Sequence, residues 1–154
     1  MRCKAIAGFL VTAASLALAA YSQTPAGAAS AQFSGTSVLA CSNLTAKGLW
    51  GATIEGSVVG SSSVFRGLVL GYFDGKGHIT QVDHVVGDGV PPAEEWTPGT
   101  GTYSVNPDCT GSAVINSGES PYPIALHFII VANGRKMLQV VDANAVIAIA
   151  ERVF

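Results

Sequence analysis

Six polar side chains interrupt otherwise apolar segments, and their types could support chemistry. A polar group that faces a bound molecule can transfer a proton or stabilise developing charge. We predict catalytic roles for Glu55, Arg66, Tyr72, His84 and His127, and a ligand-lining position for Gln139. In an apolar lining, Glu55 would serve as the acid or base. Alternatively, Glu55 and Arg66 each lie on an exposed outer face, and the two histidines are polar side chains on half-buried strands.

The sequence signatures of serine hydrolases, zinc proteases, phosphate loops and dinucleotide-binding folds do not occur in the chain. Among the histidines, His78 and His84 are an even number of positions apart, so they share one face of a straight strand. Asp83 points to the opposite face, which denies these histidines a ligand cluster. We therefore expect neither a metal nor another cofactor.

The elements that must position these side chains have the pattern of β-strands. Apolar segments rich in β-branched and aromatic residues end at Gly, Pro, Asn or Asp, and no long stretch has a helical period. Sequential antiparallel strands in so short a chain indicate closure into a barrel, because closure removes exposed edges. We predict an all-β domain at 41–154, a single up-and-down barrel of about eight strands. The predicted strands are 48–59, 64–73, 78–86, 99–105, 112–116, 125–132, 135–142 and 145–153.

Turn chemistry predicts the register of the last three strands. Asn133-Gly134 favours a two-residue hairpin loop, which places Phe128 opposite Gln139. We expect Phe128 to line the ligand site with Gln139. The next two-residue loop places Lys136 opposite Glu151, an opposite-charge pair that supports the register.

Both faces of this three-stranded segment carry large apolar side chains. One face can fill the barrel, whereas the other needs a cover from another subunit or from the N-terminal leader. We therefore expect a homo-oligomer. The second face comprises Ile129, Leu138, Val140, Ile147 and Ile149.

The longest predicted loop, residues 87–98, lies where it could cover the barrel mouth. Its Trp96 has prolines nearby in the loop, so we predict that the indole packs down as a lid. The adjacent Glu94 and Glu95 are expected to be solvated. Asn43 begins the sequon Asn-Leu-Thr, so it is a predicted glycosylation site in a host that glycosylates secreted proteins.

The N-terminus has the pattern of an export signal. Arg2 and Lys4 precede an apolar run at 5–20. This run is too short and too rich in alanine to be a typical transmembrane helix. We predict a signal peptide at 1–19, a flexible leader at 20–40 and secretion of the remainder. Cleavage near residue 31 and a buried N-terminal helix are the alternatives.

Cleavage changes both the charge and the cysteine count. It removes two of the eight basic residues and none of the ten acidic ones, which leaves a net charge of about −4. The remaining chain has no basic stripe, which argues against a nucleic-acid partner. It also loses Cys3, so the remaining cysteines, Cys41 and Cys109, form one even pair. In an exported protein such a pair predicts a disulfide.

Four segments of the chain carry turn and cysteine motifs. They are CSNLT at 41–45, GLWG at 48–51, YFDGKGHI at 72–79 and GTYSVNPDCTG at 101–111. Together they resemble small secreted microbial barrels with two cysteines, whose fold is similar to the allene oxide cyclase-like barrels, relatives of the lipocalins. The resemblance covers nearly all of the mature chain.

The resemblance implies a secreted barrel that binds an apolar small molecule. Several similar barrels catalyse cofactor-free ring closures or isomerisations in specialised metabolism, and this is the activity we expect. Glu55, Ser57 and Ser63 match the family's glutamate, polar position and serine, although Val64 stands where the family has proline. The alternatives are a non-catalytic lipocalin-like carrier and an extracellular interaction or effector protein.

Overall fold

The computed structural model describes residues 40–118 and 120–154. The predicted signal peptide and nearly all of the predicted leader lie outside these residues. The described part begins with one short helix, which eight strands follow. The elements are α1 (Asn43–Ala46), β1 (Gly48–Ser57), β2 (Val64–Phe73), β3 (His78–Gly87), β4 (Thr97–Val105), β5 (Thr110–Ser117), β6 (Ile124–Val131), β7 (Lys136–Val141) and β8 (Ala145–Arg152).

The eight strands form a closed antiparallel barrel. Each strand pairs with the next one along the chain, and β8 returns to pair with β1. The predicted all-β barrel is therefore confirmed, and each predicted strand end lies within two residues of the observed one. Helix α1 was not predicted, because a single turn is too short to show a helical period.

The predicted register of the last three strands is also confirmed. Phe128 lies opposite Gln139, and Lys136 lies opposite Glu151 with 3.5 Å between Nζ and Oε1. Asn133 and Gly134 both have positive φ, and the N–H of Arg135 donates to the carbonyl of Ala132 at 3.3 Å, as expected for the predicted two-residue loop. The turn differs in that Ala132 also has a positive φ, of 52°, and the ladder ends at Val131 and Lys136. The register is unchanged because the ladder ends one residue earlier on both strands.

Glycines in β1 and β2 have two different uses. A Cβ atom on Gly56 would lie 2.2 Å from the backbone oxygen of Ala145, so this glycine permits the close approach of β1 and β8. A Cβ on Gly71 would lie 3.8 Å from its nearest neighbours, side-chain atoms of Gln81 and Phe73. Gly71 therefore leaves open volume inside the barrel.

One end of the barrel, which we call the closed end, is covered by α1. Trp50 is 2 % exposed there, and its indole N–H donates to the carbonyl of Ala46 at 2.7 Å. The guanidinium of Arg152 lies 4.6 Å from the centre of the indole ring and donates to the carbonyl of Thr45 at 2.8 Å. These contacts attach the helix to β1 and β8.

Tyr103 and Asp74 hold the other elements of the closed end. The Tyr103 hydroxyl donates to the carbonyl of Asn43 and accepts from the N–H of Gly75, at 3.1 and 2.9 Å. Asp74 Oδ1 accepts from three backbone N–H groups of the turn after β2, at 2.6 to 3.0 Å. These hydrogen bonds, above all that from His78, lower the pKa of Asp74 to about 2.

A disulfide joins Cys41 to Cys109, with their Cα atoms 5.0 Å apart. It connects the segment before α1 to the turn between β4 and β5. The backbone N–H of Cys41 donates to the carbonyl of Pro107 at 3.0 Å beside it. The bond predicted from the cysteine count is thus confirmed, and it is compatible with an extracellular protein.

Within 40–118 and 120–154, no helix has both the length and the apolar character needed to cross a membrane.

Candidate ligand-binding cavity

The interior of the barrel contains a cavity of about 470 Å³. It extends from Trp50 at the closed end to the loops at the opposite end, where Val58, Pro121 and Asn144 line it. We call this opposite end the mouth. The volume falls within the range of small-molecule sites in proteins, about 300 to 1,000 Å³.

The cavity wall is mostly apolar because each strand directs alternate side chains inward. Phe65, Phe73 and Phe128 contribute aromatic rings to it. Among the described residues that line it, there is no lysine, arginine or histidine. The polar side chains of the wall are Gln81, Asp83, Ser117, Ser120, Gln139 and Asn144.

Asp83 is the carboxyl group of this wall, and it is only 3 % exposed. Its Oδ2 accepts hydrogen bonds from the side-chain amide of Gln81 and the hydroxyl of Ser117, each at 3.0 Å. Its Oδ1 is buried and has no hydrogen-bond partner among the described residues. Strand β3 thus presents a carboxyl group at the cavity wall, and only one of its two oxygens has hydrogen-bond partners.

The five residues with predicted catalytic roles lie on the outer side of the barrel, and none of them lines the cavity. The structure brings Glu55, Arg66 and His84 together along an open groove on the outer surface. Tyr72 and His127 lie outside that groove, and His127 Nδ1 is 2.7 Å from a carboxylate oxygen of Asp142. The catalytic roles of these five residues stay predictions, and any such role would be on the outer surface of the barrel.

Two of the three predicted ligand-lining residues lie at the cavity, and the third does not. Phe128 and Gln139 line the cavity. Trp96 does not: it is 45 % exposed, and its ring centre lies 5.9 Å from that of His84. His84 Nδ1 lies 2.6 Å from the backbone oxygen of Glu95, so it donates to that carbonyl and holds this end of the loop against β3. The indole therefore packs beside the outer wall.

Asn43 has a structural position at the closed end. Its side-chain oxygen accepts the backbone N–H of Val105 at 2.8 Å, which fastens α1 to β4. The side chain is half-buried. Glycosylation at Asn43 stays a prediction.

The sequence did not single out the Asp83 cluster, although a signal was present. Gln81 and Asp83 lie between Ile79 and Val85 at every second position, so all four side chains share one face of β3. The other face of that strand also carries valines, so apolar alternation did not decide which face is inward.

No group of three or more His, Cys, Asp or Glu side chains suited to a metal ion occurs in the part of the chain that the structure describes. Comparison with known proteins finds no family model and no curated protein that matches the chain. The fold and the cavity therefore carry the functional argument.

Proposed function

We propose that this protein binds an apolar small molecule inside its barrel. The supporting observation is the cavity of about 470 Å³, which has a mostly apolar wall and ends at the buried Trp50. Transfer of an apolar ligand from water into such a wall is favourable by about 25 cal/mol per Å² of apolar surface buried. A wall without basic side chains gives no comparable advantage to an anion.

A cavity-filling substitution tests this proposal. Gly71→Leu directs a branched side chain into open volume, because a Cβ there would have only ordinary contacts. We expect the affinity for 1-methylanthracene, an apolar fluorescent probe, to fall about tenfold or more, since the probe and the new side chain compete for space. Fluorescence titration of the purified full chain measures the dissociation constant.

Thr80→Leu is the matched control. Thr80 lies opposite Tyr72 on the exposed outer side of the neighbouring strand. The substitution therefore adds a leucine without changing the cavity. Its affinity for the probe is expected to equal that of the unsubstituted chain. Equal affinities for all three proteins, or no probe binding at all, would contradict binding inside the barrel.

The second candidate function is catalytic: a cofactor-free cyclase or isomerase of specialised metabolism. The observation that favours it is the buried Asp83 carboxyl group in a mostly apolar wall. An enclosed wall can hold a flexible substrate in a reactive conformation, and a carboxyl group can transfer a proton. The resemblance to allene oxide cyclase-like barrels supports the same activity.

The same pair of variants separates catalysis from transport. With a linear polyketide or terpenoid precursor, a cyclase should accelerate ring closure above the buffer rate, and Gly71→Leu should remove the acceleration while Thr80→Leu keeps it. Binding without conversion would instead indicate a lipocalin-like carrier. An extracellular interaction or effector protein is the remaining alternative.

We also propose that the mature barrel is secreted and forms a homo-oligomer. The disulfide is compatible with secretion. Five apolar side chains on the outside of β6, β7 and β8 support the oligomer, because each is at least 39 % exposed and they are neighbours across the ladders. Light scattering measures the mass, and a monomer would contradict the oligomer. These side chains are Ile129, Leu138, Val140, Ile147 and Ile149.

A further inference from the structure

We infer that Asp83 selects ligands that carry a hydrogen-bond donor, so the molecule in the barrel is apolar with an N–H or O–H group. This inference rests on the proposed binding function and specifies the ligand class. The observation that carries it is the buried Oδ1 of Asp83, which lacks a partner among the described residues.

The position of Asp83 suits contact with a ligand. Its side chain is on the inward face of β3 and lines the cavity. The neighbouring inward position on β2 is Val69, whose side chain offers no hydrogen bond. Gln81 and Ser117 also line this part of the wall, but both donate to Oδ2, so a ligand donor placed beside Asp83 has Oδ1 as the acceptor without a partner.

The unpartnered oxygen has an energetic consequence. Nearly all buried polar groups in proteins have a hydrogen-bond partner, and leaving one without a partner is unfavourable. A ligand N–H or O–H that approaches the Asp83 side chain would supply the missing partner. Binding of a donor ligand is therefore favoured over binding of the same skeleton without the donor.

The neighbours of Asp83 determine the polarity that it presents. Gln81 and Ser117 both donate to Oδ2, so the carboxyl group is oriented by these two hydrogen bonds. The oxygen that remains, Oδ1, is an acceptor. A ligand carbonyl at the same place would put two acceptors together, which is repulsive.

Three neutral anthracenes of similar size test the selection on the unsubstituted full chain. They are 1-aminoanthracene, which donates, 1-methylanthracene, which does neither, and 1-acetylanthracene, which accepts. We expect the amino compound to bind about tenfold more tightly than the methyl compound, the effect of one additional buried hydrogen bond. The acetyl compound should bind most weakly.

Asp83→Asn should reverse this order. Gln81 and Ser117 remain donors, so the amide oxygen of the new side chain takes the place of Oδ2 and its NH₂ takes the place of Oδ1. The wall then presents a donor in place of an acceptor. The amino compound should lose at least about tenfold in affinity, and the acetyl compound should gain.

Glu151→Gln is the matched control, because it makes the same carboxyl-to-amide change on an exposed side chain of β8. Its order of affinities should equal that of the unsubstituted chain. The measurement on the unsubstituted chain needs no variant, so a poorly folded Asp83→Asn protein would still leave the inference testable.

The outcomes separate this inference from the function on which it rests. If all three anthracenes bind equally well and Gly71→Leu weakens all three, the barrel binds apolar molecules but Asp83 does not select them. That result overturns the inference alone. If none of the three binds, both the inference and the proposed function are overturned.

Discussion

Replacing Cys41 and Cys109 together with serine is expected to lower the free energy of unfolding by about 4 kcal/mol. The disulfide spans 68 positions of the sequence, and a cross-link over a loop of this size restricts the unfolded chain strongly. Cys41 and Cys109 both lie outside the eight strands whose ladders close the barrel. The variant should therefore fold but unfold at a lower urea concentration, measured by far-ultraviolet circular dichroism.

Reduction of the unsubstituted chain provides the control for this prediction. A thiol reductant should lower its stability by about the same amount, and it should leave the double serine variant unchanged. A loss under about 1 kcal/mol would contradict the entropic argument, because it would mean that the unfolded chain is not restricted by the bond.

Trp50→Ala is expected to lower the free energy of unfolding by about 3 to 5 kcal/mol, the range for removal of a large buried aromatic side chain. The indole is 2 % exposed, and its loss also removes the hydrogen bond to Ala46 and the contact with Arg152. Its edge contact with Phe73, at 6.3 Å between ring centres, would be lost too. Urea unfolding followed by circular dichroism measures the change.

Trp96→Ala is the matched control, since the second tryptophan is 45 % exposed. It should cost less than about 1 kcal/mol. Trp50→Phe should fall between the two, because phenylalanine restores most of the apolar volume but not the indole N–H. Equal losses for Trp50→Ala and Trp96→Ala would contradict the assignment of Trp50 as the residue that fills the closed end.

The fold was predictable because the strands are local and sequential. Apolar alternation and turn residues marked each strand. Asn133-Gly134 predicted the pairing of Phe128 with Gln139, and the next loop predicted that of Lys136 with Glu151. A register is specified in this way where both the hydrophobic pattern and the turn agree. The positive φ of Ala132 was not predictable, because alanine has no intrinsic preference for that conformation.

The candidate site was less predictable, for a physical reason. Both faces of several strands carry apolar residues, so the sequence did not show that Glu55, Arg66 and His84 lie outside while Asp83 lies inside. The disulfide could be predicted because few cysteines remain to pair. The hydrogen bonds that leave Asp83 Oδ1 without a partner depend on Ser117 of β5, two strands away around the barrel, a proximity that the sequence does not show.

The pairing of β1 with β8 has a consequence for how the chain folds. Every other ladder joins strands that are consecutive along the chain, whereas Trp50 and its partner Arg152 are about a hundred residues apart. Bringing such distant segments together is slow because the entropy of loop closure must be overcome first. Until this seam forms, the outer edges of β1 and β8 are unpaired and can associate with other chains. The seam is thus the point at which newly made chains are most exposed to aggregation.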